Sequence, residues 1–176
     1  SQYASLKLKD AICDRFRKYN NDKRPNIDTN KPDILFNLHI NKNNVTISLD
    51  SSGTSLHQRG NRIEQTIAPI NEVLAAGLVL MSKGDKQSHF VDAMCGSGTI
   101  VMEAASIAIN KAPNLDRDYF CFKNWIGYDR TLYNDICTEL EHKISDFDYK
   151  IIGSDSSKNS VYVADKNVSK AGLSHL

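Results

Sequence analysis

The sequence is poor in the residues that mark several common function classes. Its four cysteines (Cys13, Cys95, Cys121, Cys137) include no Cys-x-x-Cys pair. That excludes a zinc ribbon and a small disulfide frame, and reduced thiols are expected. The five histidines are isolated, with no metal-ligand spacing, so no metal is expected. No apolar run approaches the roughly 20 residues that span a bilayer, and no signal-peptide pattern opens the chain; a cytoplasmic protein without membrane attachment is expected. Prolines number four (Pro25, Pro32, Pro69, Pro113), and no two are adjacent. No Gly-Lys-Ser/Thr occurs, which excludes a nucleotide-triphosphate loop. What remains, 40% hydrophobic and 24% charged over 176 residues, is the composition of a soluble globular chain of one domain or two small ones.

The chain is organised around Phe90-Val91-Asp92-Ala93-Met94-Cys95-Gly96-Ser97-Gly98-Thr99-Ile100. It reads as a buried strand over 89–91, a glycine turn, and an apolar helix from Thr99 through Ile109. Gly96 and Gly98 let backbone approach a ligand beside the free N–H groups of a helix start. Position 101 is Val, so the three-glycine dinucleotide fingerprint is incomplete. A second buried strand, Tyr149-Lys150-Ile151-Ile152-Gly153-Ser154-Asp155, ends in an acid. In a doubly wound fold such a carboxylate accepts hydrogen bonds from ribose 2′ and 3′ hydroxyls, the favoured role here; it could instead, or in addition, cap the helix expected over 156–171. The gap from Asp92 to Asp155 exceeds the roughly 20 residues usual for that arrangement. The aromatic-rich stretch Asp118 to Trp125 accounts for the excess and reads as core or lid packing, or as a base-stacking cluster.

Upstream, a helix is expected over 6–19 and a hairpin from strands over 33–40 and 45–50, with Lys42 at its tip. Residues 1–62 carry eleven Lys/Arg against six Asp/Glu, and 63–176 carry eleven against fifteen. A basic module joined to a mildly acidic one suits a nucleic-acid-facing part beside a catalytic part, although surface scatter gives the same count. The polar stretch from Leu49 to Arg62 reads as a linker, in which Arg59 and Arg62 can meet phosphate or pair with carboxylates. Ala68-Pro69-Ile70-Asn71-Glu72 opens a helix through Met81, with Pro69 near its first turn.

The string Asp-x-Met-Cys-Gly-Ser-Gly-Thr at 92–99 resembles the cofactor loop of S-adenosylmethionine-dependent methyltransferases. More narrowly it is similar to that of the THUMP-containing RNA methyltransferases, of the large-subunit ribosomal RNA guanine-N2 type. The junction Leu-Asp-x-Ser-Gly-x-Ser-Leu-His-x-Arg-Gly resembles the same family, with Asn61 where an aromatic is usual. The resemblance implies an α/β fold: a partial Rossmann-like sheet preceded by the C-terminal part of a THUMP-type α+β module. It implies a THUMP-like part over 1–52, a linker over 53–66 and the N-terminal half of the methyltransferase domain over 67–176. S-adenosylmethionine is the implied cofactor, held by Ala68, Pro69, Asp92, Cys95, Gly96, Ser97, Gly98, Thr99 and Asp155. RNA is the implied partner, ribosomal RNA first, with Lys42, Arg59 and Arg62 as contacts. The family's Asp/Asn-Pro-Pro-aromatic catalytic motif does not occur, so the chain is expected to be an internal fragment, inactive alone, and to self-associate through exposed strand edges. Adenine-N6 methylation and non-enzymatic RNA binding are the alternatives.

Overall fold

A computed structural model describes residues 2–60, 69–82 and 87–176. The chain divides into two units, 1–53 with 119–128 and 54–118 with 129–176.

The first unit holds helix α1 (Gln2–Tyr19) and the antiparallel strands β1 (Leu35–Asn41) and β2 (Asn44–Asp50). Their register pairs Phe36 with Leu49, Leu38 with Ile47 and Ile40 with Val45. Period-2 alternation therefore gathers six apolar side chains on one face. Lys42 makes the turn at φ +55°. After β2 the Asp50 carboxylate accepts from Ser52 N (2.8 Å) and Gly53 N (3.2 Å), which turns the chain sharply.

The aromatic stretch lies with this unit, not with the core or lid of the second. Tyr119 Oη donates to Pro32 O (2.6 Å), Trp125 Nε1 to Asp33 O (2.8 Å) and Phe122 N to Ser51 O (3.0 Å). Cys121 is fully buried, and a Cβ on Gly53 (φ +85°) would stand 2.8 Å from its sulfur. Only glycine fits there.

The second unit carries α2 (Glu72–Met81), β3 (Phe90–Asp92), α3 (Thr99–Ala108), α4 (Arg130–His142), β4 (Ile151–Gly153) and α5 (Lys158–Lys170). β3 and β4 are parallel, with Phe90 opposite Ile151 and Asp92 opposite Gly153. β3 lies within one residue of the strand expected over 89–91, β4 is shorter than the stretch 149–155, and neither is buried as expected, since Val91 and Ile152 are exposed. α3 is the centre of packing. Met102, Ala105 and Ile109 cluster with Ala171 and Leu173, against Phe147, Ile151 and Val168. Val101 joins Cys95 and Ala164 in a second cluster.

Pro69 lies outside α2. The helix is capped by Asn71, whose side chain accepts from Val73 N (3.0 Å) and Leu74 N (3.2 Å). An amide acceptor satisfies two first-turn donors, so the chain needs no help from proline at that point.

Residues 54–60, expected as a loose linker, are held instead within the second unit. Arg117, itself buried, donates to Thr54 O (2.7 Å), Thr54 Oγ1 and Ser55 O (3.4 Å). Asn114 Nδ2 donates to Leu56 O (3.1 Å). Four polar contacts fix a segment whose composition alone spoke for freedom. Replacing Asn71 by Ala should cost about 1 kcal/mol through loss of the cap, with Asn71→Asp close to neutral. Thermal unfolding of the two variants checks this.

Candidate cofactor site

The parallel register brings the ends of β3 and β4 to one edge, and the ladder continues past both strands. Ser154 N donates to Asp92 O and Cys95 N to Ser154 O, each at 2.8 Å. Asp155 follows at once. Its Oδ2 accepts from Gly96 N (3.0 Å) and its Oδ1 from Ser157 N (2.8 Å). The acid thus stands at the mouth of the 95–98 turn. The helix cap is Ser157, whose side chain accepts from Ser160 N (3.3 Å), so Asp155 is not the N-cap of α5.

The two glycines do different work. Gly98 sits at φ +83° and caps α3; a Cβ there would lie 3.1 Å from Ala164 Cβ and 3.3 Å from its Cα. It is glycine so that α5 can pack on the turn. Gly96 also has positive φ (+54°), yet among the described residues, its two chain neighbours aside, no atom lies within 4 Å of where its Cβ would be. That side of the turn is uncovered by the described residues. α5 adds a second hold, because the fully buried Asn167 donates from Nδ2 to Ser97 O (3.0 Å). Gly153 lets β4 approach, since a Cβ would meet Val101 Cγ2 at 3.0 Å and Cys95 Cβ at 3.2 Å.

The electrostatics of the turn are acidic. Asp92 Oδ1 accepts from Met94 N (3.1 Å), while its Oδ2 is buried and has no partner among the described residues. Burial, helped by the Asp92 and Asp155 carboxylates, pushes the Cys95 thiol above its ordinary pKa. Cys95 is therefore a neutral packing residue at neutral pH. A buried carboxylate oxygen without a donor is costly.

Residues 59–176 match the UPF0020 family, described as an RMKL-like methyltransferase domain. The chain belongs to that family. Residues 1–50 match the THUMP domain, so the fold is a partial Rossmann-like methyltransferase sheet preceded by THUMP structure, as the sequence suggests. Three solved structures are similar over 94% of this chain. SMU.472, crystallised in complex with SAH, is 34% identical with a TM-score of 0.81. A protein described as a possible methylase from Clostridium difficile 630 is 36% identical, with a TM-score of 0.79. A predicted N6-adenine-specific DNA methylase from Listeria monocytogenes str. 4b F2365 is 33% identical, also at 0.79. The chain spans 43% of the length of each.

Within this methyltransferase domain, the structure brings Asp92, Cys95, Gly96, Ser97, Gly98, Thr99 and Asp155 together. Ala68 and Arg62, with Asn61, lie outside the described residues. Pro69 is described and half-buried, but the polar contacts of the turn come from Ser154, Asp155 and Asn167. Lys42 is exposed at the hairpin tip. Arg59 takes the carboxylate alternative: Nε and Nη2 each meet Glu103 at 3.0 Å, with both side chains largely buried. Its guanidinium is committed to α3, which argues against a phosphate contact.

Sequence reasoning missed Glu103, Asn167 and Arg117. Glu103 had a signal, as the one charge in the apolar run 100–109; buried charges are paired. Asn167 and Arg117 had none, because their partners are backbone carbonyls 70 and 63 residues away.

Arg59→Met leaves the Glu103 charge buried and unpaired, and should cost about 3–5 kcal/mol, with Arg59→Met/Glu103→Leu recovering much of it; chemical denaturation of the variants measures this. Alkylation of Cys95, followed by peptide mass spectrometry, should require a higher pH than an unhindered thiol does.

Proposed function

We propose that the chain is the cofactor-binding portion of an S-adenosylmethionine-dependent RNA methyltransferase acting on guanine N2, with ribosomal RNA as the target. The observation that carries the reading is the Asp155 carboxylate hydrogen-bonded to Gly96 N at the open side of the glycine turn. Each carboxylate oxygen has two acceptor sites. One on each is used by Gly96 and Ser157, which leaves acceptor capacity for vicinal ribose hydroxyls. Asp92 Oδ2 offers a buried acceptor at the end of the neighbouring strand. Gly96 leaves room for a ligand against the backbone, and the start of α3 provides N–H groups without a side-chain cap from Gly98. SMU.472, crystallised with SAH, supports the same cofactor.

The cofactor, when bound, supplies a methyl group on a cationic sulfur. Transfer of that methyl carbon to an amine would break its bond to sulfur, release a neutral thioether and leave the amine to shed a proton, so positioning would dominate over acid–base chemistry. This chain's residues bind and orient; none of them is assigned a catalytic role. The THUMP match and the greater basicity of the first unit favour RNA: that unit carries ten Lys/Arg against six Asp/Glu, and the second twelve against fifteen. Adenine-N6 methylation of DNA is the second reading, favoured by the Listeria relative.

Self-association is part of the reading. Among the described residues β3 pairs with β4 alone, and Val91 and Met94 are 62% and 85% exposed. A strand edge with exposed apolar neighbours is a template for a second copy. Light scattering should find dimers or larger species, and a monodisperse monomer would count against this point.

Titration calorimetry with S-adenosylhomocysteine tests the cofactor site. Asp155→Asn should weaken binding by about tenfold or more, since hydrogen bonds to a charged group contribute about 1.5–3 kcal/mol each. Gly96→Ala should also weaken it, at a stability cost of about 1–2 kcal/mol from positive φ alone. Gly98→Ala should cost more, because strain and the clash with Ala164 add. Absence of binding heat with the unaltered chain, or full affinity in both Asp155→Asn and Gly96→Ala, would sink the proposal.

A further inference from the structure

The end of α1 carries a group of side chains that neither the packing of the first unit nor the cofactor site uses. Tyr19 is 64% exposed. The Arg15 guanidinium lies 5.1 Å from its ring centroid and the Lys18 ammonium 5.9 Å. Beyond the helix, Asn21 and Asp22 both adopt positive φ (50° and 61°), and Asp22 N donates to Arg17 O (3.0 Å). The chain therefore turns at once, and exposed Lys23 and Arg24 follow. Asp22 is the one acid between residues 15 and 24. Its Oδ1 is already taken by Arg17, at 2.8 Å from Nε and 2.7 Å from Nη2. Among the described residues no carboxylate pairs with Arg15, Lys18, Lys23 or Arg24, so two unpaired cations lie at the exposed ring and two more follow within five residues of it in the chain.

The helix dipole explains why basic residues sit in the last turn. It does not explain Lys23 and Arg24, which lie beyond the turn, nor a tyrosine left largely in water. An exposed ring among unpaired cations fits an unpaired base with its flanking phosphates, because every base has a face to stack and every linkage a charge to meet. Paired bases in a duplex present no such face, and the deep groove of duplex RNA excludes side chains.

We propose that Arg15 to Arg24 form a site for single-stranded RNA, in which Tyr19 stacks an unpaired base and Arg15, Lys18, Lys23 and Arg24 take neighbouring phosphates. The choice of RNA rests on the methyltransferase reading above. The proposed site uses none of Lys42, Arg59 and Arg62, the contacts that the sequence suggests.

Fluorescence anisotropy with a labelled uridine 12-mer tests it, with an RNA duplex of equal length as comparison. The single strand should bind at least tenfold tighter than the duplex. Tyr19→Ala should weaken single-strand binding about tenfold and Tyr19→Phe should keep it, since stacking needs the ring and not the hydroxyl. With four phosphates neutralised, log K should fall against log salt with a slope of about −3. Tyr19→Ala should leave that slope alone, whereas Arg15→Gln/Lys18→Gln should flatten it by about 1.4. Wild-type affinity in Tyr19→Ala, equal affinity for the duplex, or no binding at low salt would overturn the site. S-adenosylhomocysteine calorimetry on the same samples separates the two readings. Oligonucleotide binding without cofactor binding leaves this site standing and defeats the methyltransferase reading; the reverse defeats this site alone.

Discussion

The carboxylate of Asp155 is the joint on which the second unit's site depends. One oxygen holds the amide of Gly96 and the other the amide of Ser157. The same side chain thereby fixes the glycine turn after β3 and the entry to α5 after β4. Two short parallel strands, three residues each, would be a weak frame by themselves. Hydrogen bonding carried past their ends by Ser154 and Cys95, and closed by Asp155, gives the edge a defined shape. Asp92 and Asp155 are like charges at that edge. Backbone N–H groups from Met94, Gly96 and Ser157 point at them and offset the repulsion.

α5 supplies the other half of the constraint. Asn167, without solvent exposure, reaches Ser97 O, and Ala164 lies where a side chain at Gly98 would be. The turn is thus gripped from its inner side and, among the described residues, bare at Gly96. Preorganisation of this kind lowers what a ligand must spend in ordering the loop. Glu103 extends the frame, since its pairing with Arg59 ties residues 54–60 to the helix that begins at the turn.

Much of this was legible in the residues themselves. The strand–glycine–helix order at 90–108, the acid at 155 and the hairpin at 35–50 all follow from local pattern, because period-2 alternation, glycine turns and apolar helices are short-range signals. The reading went astray where a partner lies far along the chain. Residues 54–60 look like a linker until Arg117 and Asn114 are seen to hold their carbonyls. Arg59 looks like a phosphate ligand until Glu103 appears. Pro69 resembles a helix start, but Asn71, two residues on, makes the better cap. That residues 119–128 cluster with the first unit was not legible either, since nothing local tells which core a tyrosine enters.

That last assignment has a consequence for how the polypeptide matures. The first unit is sewn from two pieces, 1–53 and 119–128, with sixty-five residues of the second unit between them. On a ribosome, the carbonyls of Pro32 and Asp33 and the space beside Gly53 must wait until Tyr119, Cys121 and Trp125 have emerged. Neither unit can therefore be completed and set aside before the other begins. Excision at residue 53 would release the first with a seam left open, so the two parts are bound to share one history of folding even where they perform separate tasks.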